Sequence, residues 1–505
     1  MEKYDVVIIG GGPAGYAAAM RAMDFSLKTL LIEQEKIGGA GLYNGVLSSK
    51  TMWELSKDVN LAQKRVKKYS TCGDFKLDYE QVKKELNNAI KERGTQLEHH
   101  LNELKNVGYR DIFFQKYGKG KLITKNEVEI TDKNGEQETV YAKNIILATG
   151  SKPRYLPHIP IDEKTIVTSD GIHDWDELPE SMVVLGAGVI GCEYATIFSN
   201  FGKTKVFIID KQPRILPFED GDVVQVVEQK FIDNGIHIHR KSNLVRIEIK
   251  EGRVEYELEF EGGKTEIFNV EKALISIGRV PNTQGLGLED IGVALTDRGA
   301  VKDVDTKTNI PNIYAIGDLT ADIALVNVGE LEGRQAIKHI ANKNPAPLDY
   351  SNICSIMFLK PIVAGVGINE LQARAKGISY QVVSIDYSIV PRGIAMRNPA
   401  GFFKILVTND TEMKVLGMRV VGPQASTAIQ AVGLLMSQNM SIEALAELIH
   451  PHPSLIEGIQ ECCRMLLGKS IFKPSIFKES MLYKSYTDGQ YYDKSQDCVG
   501  LRCEI

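Results

Sequence analysis

The chain has 505 residues, 43% hydrophobic and 25% charged, with a net charge of −5. At roughly 150 residues per domain, that length holds about three domains with substantial cores. The mild acidity gives no reason to expect a nucleic-acid partner, and no run of ~20 apolar residues is present to span a bilayer.

The first apolar run, residues 4–9, leads into Gly10-Gly11-Gly12-Pro13-Ala14-Gly15 and an alanine-rich helix ending near Met23. A strand beginning so early leaves no room for a secretory signal, so a cytoplasmic location is expected. Strand, glycine turn and helix in this order predict a dinucleotide site. Gly10 permits the tight turn, Gly12 lets the backbone approach a pyrophosphate, and Gly15 allows close helix packing. A second strand, residues 29–32, ends in Glu33, whose carboxylate suits a ribose. GGAGLYNGVLSSK then spans residues 38–50, and residues 53–104 carry Lys and Glu at the spacing of two solvated helices.

A strand at residues 144–147 ends in Ala148-Thr149-Gly150-Ser151, and the opening pattern then repeats. An apolar strand precedes Gly186-Ala187-Gly188-Val189-Ile190-Gly191, a helix, and a strand that ends at Asp210. Two dinucleotide sites in one chain suggest one bound flavin and one exchanging nicotinamide. Asp210 favours NAD, because it would repel a 2′-phosphate, while Lys211 and Arg214 close by keep NADP open. Further on come LISIGRVPNT, with Gly278 and Arg279, and TNIPNIYAIGD, in which a strand delivers Asp318 to hold a ribityl hydroxyl. No metal-ligand pattern is present. The seven cysteines are scattered as in a reducing compartment. Cys462 and Cys463 read as packing residues on a helix, and Cys192 as a buried one.

GGGPAG, IGGAGLYNGVLSSK, ATGSKP, GAGVIGCEYA, GRVPN, YAIGD and HPHPSLIE occur in this order between residues 4 and 470. In this the chain resembles the pyridine nucleotide-disulfide oxidoreductases, the dihydrolipoamide dehydrogenase branch above all. The resemblance implies an α/β fold with two Rossmann-like domains and an α+β C-terminal interface domain. FAD would bind a domain of residues 1–150 and 281–345, and NAD(P) an inserted domain of residues 151–280. Residues 346–470 would form the interface of a homodimer with shared active sites, leaving 471–505 as an extension. The resemblance also assigns Gly39, Ala40, Gly120, Ala324 and Leu325 to the cofactor sites. Phe358-Leu359-Lys360-Pro361 resembles the family's interface-domain strand. Lys50 matches the family's flavin-side lysine, with Glu193 as its partner and a role in stabilising a reduced, anionic flavin. His452 and Glu457 match the base motif, in which a carboxylate fixes the imidazole tautomer.

The family's two redox cysteines correspond here to Gly41 and Val46, neither of which forms a thiolate, and Ser48 replaces a proline. Three functions stay open. The first is NADH oxidation with transfer through FAD to a small acceptor, such as a quinone or nicotinamide nucleotide, in a pocket lined by Val46 and Tyr43. The second moves the sulfur to Cys498 and Cys503 near the C-terminus, whose spacing equals that of the lost pair and where three tyrosines precede to dock the tail. The third is a non-catalytic scaffold or sensor that binds FAD and NAD.

Overall fold

Uninterrupted β-branched runs make strands that are buried on both faces. The computed structural model describes residues 1–70, 75–104, 106–320 and 323–495, and opens with β1 (Lys3–Ile9), α1 (Pro13–Met23) and β2 (Thr29–Glu33). Three helices follow, α2 (Gly39–Leu42), α3 (Val46–Tyr69) and α4 (Tyr79–Leu104), then β3 (Phe113–Tyr117), β4 (Lys119–Thr124), β5 (Glu127–Thr131) and β6 (Gln137–Leu147). The strand order β3-β2-β1-β6-β5-β4 leaves Val6, Val7 and Ile8 without solvent exposure. Gly10 has φ 109°, and a Cβ there would lie 2.3 Å from the Ala148 carbonyl oxygen. On Gly15 it would lie 1.9 Å from the Gly10 oxygen, so only glycine lets α1 seat against the strand end. The two long helices are solvated on one side only, since Val82, Leu86, Leu97 and Leu101 of α4 are buried.

Past β7 (Ser151–Pro153) the same arrangement is built again. It comprises β8 (Ile166–Val167), β9 (Ser181–Leu185), α5 (Val189–Phe201), β10 (Lys205–Ile209), α6 (Gly221–Asp233) and β11 (His237–His239). An antiparallel meander follows, β12 (Asn243–Lys250), β13 (Arg253–Glu259) and β14 (Thr265–Val270), before β15 (Lys272–Ile275) returns to the parallel sheet of order β11-β10-β9-β15-β8. Then β16 (Arg279–Pro281) pairs antiparallel with β7, forming a two-stranded ribbon that we propose marks both ends of the inserted unit, residues 151–280. Beyond it, β17 (Ile313–Ala315) joins β6 in the first sheet and α7 (Val326–Ile340) packs on α1. That packing is close because Gly329 and Gly333 of α7 face Ala14 and Ala18.

The third layer is an antiparallel sheet. Its elements are β18 (Cys354–Met357), β19 (Val363–Gly367), α8 (Glu370–Ala375), β20 (Tyr380–Asp386), α9 (Pro391–Ala395), β21 (Phe402–Thr408) and β22 (Val415–Val421). Helices α10 (Ala425–Ser437), α11 (Glu443–Ala446) and α12 (Glu457–Leu466) cover one face, where Val383, Ile405, Met418, Ile429 and Ile459 share a core. The C-terminal extension contributes β23 (Met481–Thr487) and β24 (Gln490–Asp493), so the order is β18-β19-β22-β21-β20-β23-β24. Asp488 and Gly489, both at positive φ, make the two-residue turn between them. Tyr380 stacks on Tyr486, and the Tyr491 hydroxyl donates to Glu370 at 2.6 Å. A second difference concerns Phe358-Leu359-Lys360-Pro361, which connects β18 to β19 and is not itself a strand, since its proline brings no N–H to a ladder.

The second and third layers meet at buried charge. Lys404, 1% exposed on β21, donates to Asp220 (2.8 Å), Asp222 (2.7 Å) and Glu370 (3.0 Å). Burial alone would push its ammonium pKa down, but the three carboxylates outweigh that and raise it. These carboxylates lie close enough together to suit a cation, and the cation already among them is the lysine's own. Beside them Arg419 pairs with Glu219 at 3.0 Å, likewise buried. Removing the lysine strands Asp220 and Glu370 with little water, while the Asp222 side chain stays partly in solvent. Lys404→Met should therefore lower stability by about 3–5 kcal/mol, read as a shift in the denaturant midpoint; a loss under ~1 kcal/mol would show that the cluster is hydrated.

Candidate functional site

The two glycine turns are alike in detail. In the first, Glu33 accepts from the Gly11 N–H (2.7 Å) and the Glu35 N–H (2.8 Å). In the second, Asp210 accepts from the Ala187 N–H (2.7 Å) and the Gln212 N–H (2.8 Å). Backbone donors hold each acid at a strand end, with lone pairs left for a diol. Helices α1 and α5 start at Gly12 and Gly188, and no side chain caps either one. A Cβ on either glycine would meet no atom within 4 Å. Uncapped N–H groups below open space, with Pro13 and Ala14 or Val189 and Ile190 in the first helical turn, fit the diphosphate of a dinucleotide.

Around the first turn the other predicted residues converge. Thr149 and Asn282 exchange side-chain to carbonyl hydrogen bonds of 2.8 and 3.0 Å, which tie the end of β6 to the segment after β16. Gly150, next in line, has φ 67° and open space where a Cβ would lie. Arg279 donates to the Ser151 hydroxyl (2.8 Å), and that hydroxyl donates to Asp318 (2.7 Å), so a cation is relayed onto the strand-end acid. Gly278 precedes Arg279 at φ 104°. Ala324 and Leu325 lead into α7, with Leu325 as its N-cap. Gly39 abuts Gly12, where a Cβ on it would lie 3.3 Å from the Gly12 Cα; Ala40 follows it on α2, and Gly120 packs on Ile9 behind the turn. The Ser48 hydroxyl, buried on α3, has no protein partner and would be satisfied by a polar atom of a bound group.

Two charged pairs complete the arrangement. Lys50 on α3 donates to Glu193 on α5 at 2.7 Å, joining the two nucleotide layers; the lysine side chain is 26% exposed and the glutamate 6%. His452 Nδ1 lies 2.8 Å from Glu457 Oε1, and the Ser454 N–H donates to Oε2 at 2.7 Å. Burial pushes the Glu457 carboxyl up, but the bonds from His452 and Ser454 prevail and hold it below the usual carboxylate range. An ionised carboxylate only accepts, so Nδ1 carries the proton and Nε2 is the imidazole's free site. The His452 side chain is 68% exposed in the single chain.

Not every predicted residue joins the site. Tyr43 turns away from Val46 to α4, where a Cβ on Gly94 would lie 3.1 Å from its hydroxyl. Arg214 is used structurally, donating to the Pro217 and Glu219 carbonyls at 3.1 and 2.8 Å. Cys192, Cys462 and Cys463 are buried free thiols, their pKa values pushed up by burial. Cys498 and Cys503 lie outside the described residues. Ser151 and Phe358 were named in the sequence without a role at the site, and Glu332, whose buried carboxylate accepts the Gly317 N–H at 2.6 Å, was not named at all. For Glu332 a signal existed, an acid on the apolar stripe of α7 with Val328 and Ala336.

A family model described as pyridine nucleotide-disulphide oxidoreductase matches residues 4–336, and its dimerisation-domain counterpart matches residues 353–463. Dihydrolipoyl dehydrogenase from Bacillus subtilis is 31% identical over 479 residues, covering 93% of this chain and 99% of its own length. The enzyme of the same name from Chlamydia muridarum is 32% identical over 477 residues, with coverage of 94% and 99%. Among solved structures, LpdA from Mycobacterium tuberculosis aligns with a TM-score of 0.83 at 27% identity, covering 92% of this chain and 100% of that one. The HOCl-induced flavoprotein disulfide reductase RclA from Escherichia coli gives 0.79 at 26% identity, with coverage of 92% and 100%.

The depressed Glu457 pKa sets a pH window. Its contribution is complete above the ordinary value of 4.5 and is lost only as pH falls through the lower, folded-state value. Acidifying from about pH 7 to about 5 should leave the Nδ1–Glu457 bond intact, which nitrogen-15 shifts of the His452 ring would report. Loss of the Nδ1 bond over that range would contradict the assignment.

Proposed function

We infer, from the premise that the chain belongs to the pyridine nucleotide-disulphide oxidoreductase family, that it is an FAD-dependent NAD(P)H oxidoreductase serving a small acceptor without a disulfide beside the flavin. When bound, FAD and NAD(P)H supply the two-electron chemistry. The chain itself binds, orients and handles protons. The N-termini of α1 and α5 hold the two diphosphates, and Glu33 and Asp210 hold the two riboses. Lys50, kept in place by Glu193, puts a positive charge between the two nucleotide layers, where negative charge builds up on reduction. His452 Nε2 gives or takes the acceptor's proton, oriented through Nδ1 by Glu457 and contributed by the second subunit of a homodimer.

One observation carries the acceptor reading. By resemblance the family's inner sulfurs fall at Gly41 and Val46, and a Cβ on Gly41 would come within 2.5 Å of the Pro13 ring. Position 41 is thus closed against the first glycine turn, while Val46, at the start of α3, is 42% exposed. An exposed apolar side chain where a thiol would stand suits a flat, weakly polar acceptor such as a quinone or a second nicotinamide nucleotide. The engagement of Arg214 with its own loop supports NADH over NADPH, since it leaves Asp210 to meet the ribose without a cation from that residue.

Anaerobic NADH titration of the wild type and a Cys498→Ser/Cys503→Ser variant tests this reading. Both should take up about two electrons per FAD; about four in the wild type alone would shift the function to a tail disulfide, and no bleaching at all would favour a scaffold. Asp210→Ala should weaken NADH use at least ~5-fold more than NADPH use, judged by kcat/KM, and an equal loss would remove the cofactor preference.

A further inference from the structure

The connection between β18 and β19 belongs to neither nucleotide layer, yet it touches both halves of the Lys50–Glu193 pair. The Phe358 N–H donates to Glu193 Oε1 at 2.9 Å, while Oε2 of the same carboxylate receives Lys50. The Lys50 ammonium stands 5.0 Å from the Phe358 ring centroid, within cation–π range. That ring is itself fixed edge-on by Trp53, 5.4 Å away and one turn along α3 from Lys50. Two residues further on, Lys360 donates to Asn60 of α3 and, at 3.0 Å, to Asn200 of α5. Burial, with Lys64 and Lys230 nearby, brings the Lys360 ammonium down to about 7, as expected of a cation held in a closed junction. Leu359 between them has no exposure.

We propose that this connection is a positioning device for the ion pair, and that Phe358 is the positioning residue for Lys50. A lysine that is a quarter exposed on a four-carbon stem has many rotamers, and one salt-bridge contact restrains few of them. Here the carboxylate is pinned by a backbone N–H, and the ammonium is bounded on another side by an aromatic face. Two restraints from a third layer turn a mobile charge into a directed one. The inference rests on the role given to Lys50 above.

The test uses purified holoprotein of Phe358→Leu, Phe358→Tyr, Lys50→Met and the Phe358→Leu/Lys50→Met double variant. Two quantities are read, the midpoint potential of the bound flavin by dye equilibration and the rate of anaerobic bleaching by NADH. Phe358→Leu should slow bleaching about 3- to 20-fold and move the potential to more negative values, while Phe358→Tyr stays within about twofold of wild type. If Phe358 acts through Lys50, the leucine change should have no further effect once Lys50 is methionine. Additive effects, or equal losses in the leucine and tyrosine variants, would overturn the proposal and leave the role of Lys50 standing. Wild-type behaviour of Lys50→Met would instead overturn the ion-pair reading, and the positioning role with it. Should Phe358→Leu not accumulate with FAD, Phe358→Met removes the ring at similar size and takes its place in the same comparison.

Discussion

The Lys50–Glu193 ion pair joins the two nucleotide layers of this fold. Lys50 and Glu193 lie on helices that belong to different sheets and start from different turns, yet they meet at 2.7 Å. Each helix is fixed at its own end, and Asn60 and Gln63 of α3 donate to the Asn200 and Phe201 carbonyls of α5. The loop GGAGLYNGVLSSK leads α3 out of the first glycine turn, and Gly191, with the glycine of the second turn, seats α5 tightly on its strand. The third layer then closes on the same point from outside, through a backbone N–H and an aromatic ring. Three layers therefore define the position of one ammonium group.

The parts of this architecture that are local in the chain were legible in the sequence. A glycine turn, the helix after it and the acid at the next strand end depend on residues within about 25 positions of one another, and the spacing alone predicts both sites. The paired geometry at Glu33 and Asp210 shows how closely one motif copies the other. His452 and Glu457 are likewise five residues apart and find each other without help from distant chain.

What escaped the sequence depends on partners far away in the chain. Phe358 reads as part of a strand until β18 and β19 are seen to end on either side of it and its N–H is seen to reach Glu193, 165 residues distant. Arg214 looks like a free cation near a ribose site until its guanidinium folds back onto two carbonyls. The extension is the exception, because Asp488-Gly489 between tyrosine-rich runs is a local hairpin signature, and the tyrosines expected to dock the tail sit on its two strands. Tyr491, reaching Glu370 and through it Lys404, makes that hairpin part of the seam between the second and third layers.

The closeness of Gly41 to Pro13 limits what position 41 can carry. No side chain can simply be placed at position 41, since its Cβ would press into the proline ring that opens α1 at the first glycine turn. Any side chain there would require the helix start to yield. Position 41 and the start of α1 are therefore packed as one unit, in which a change at either is felt at the other.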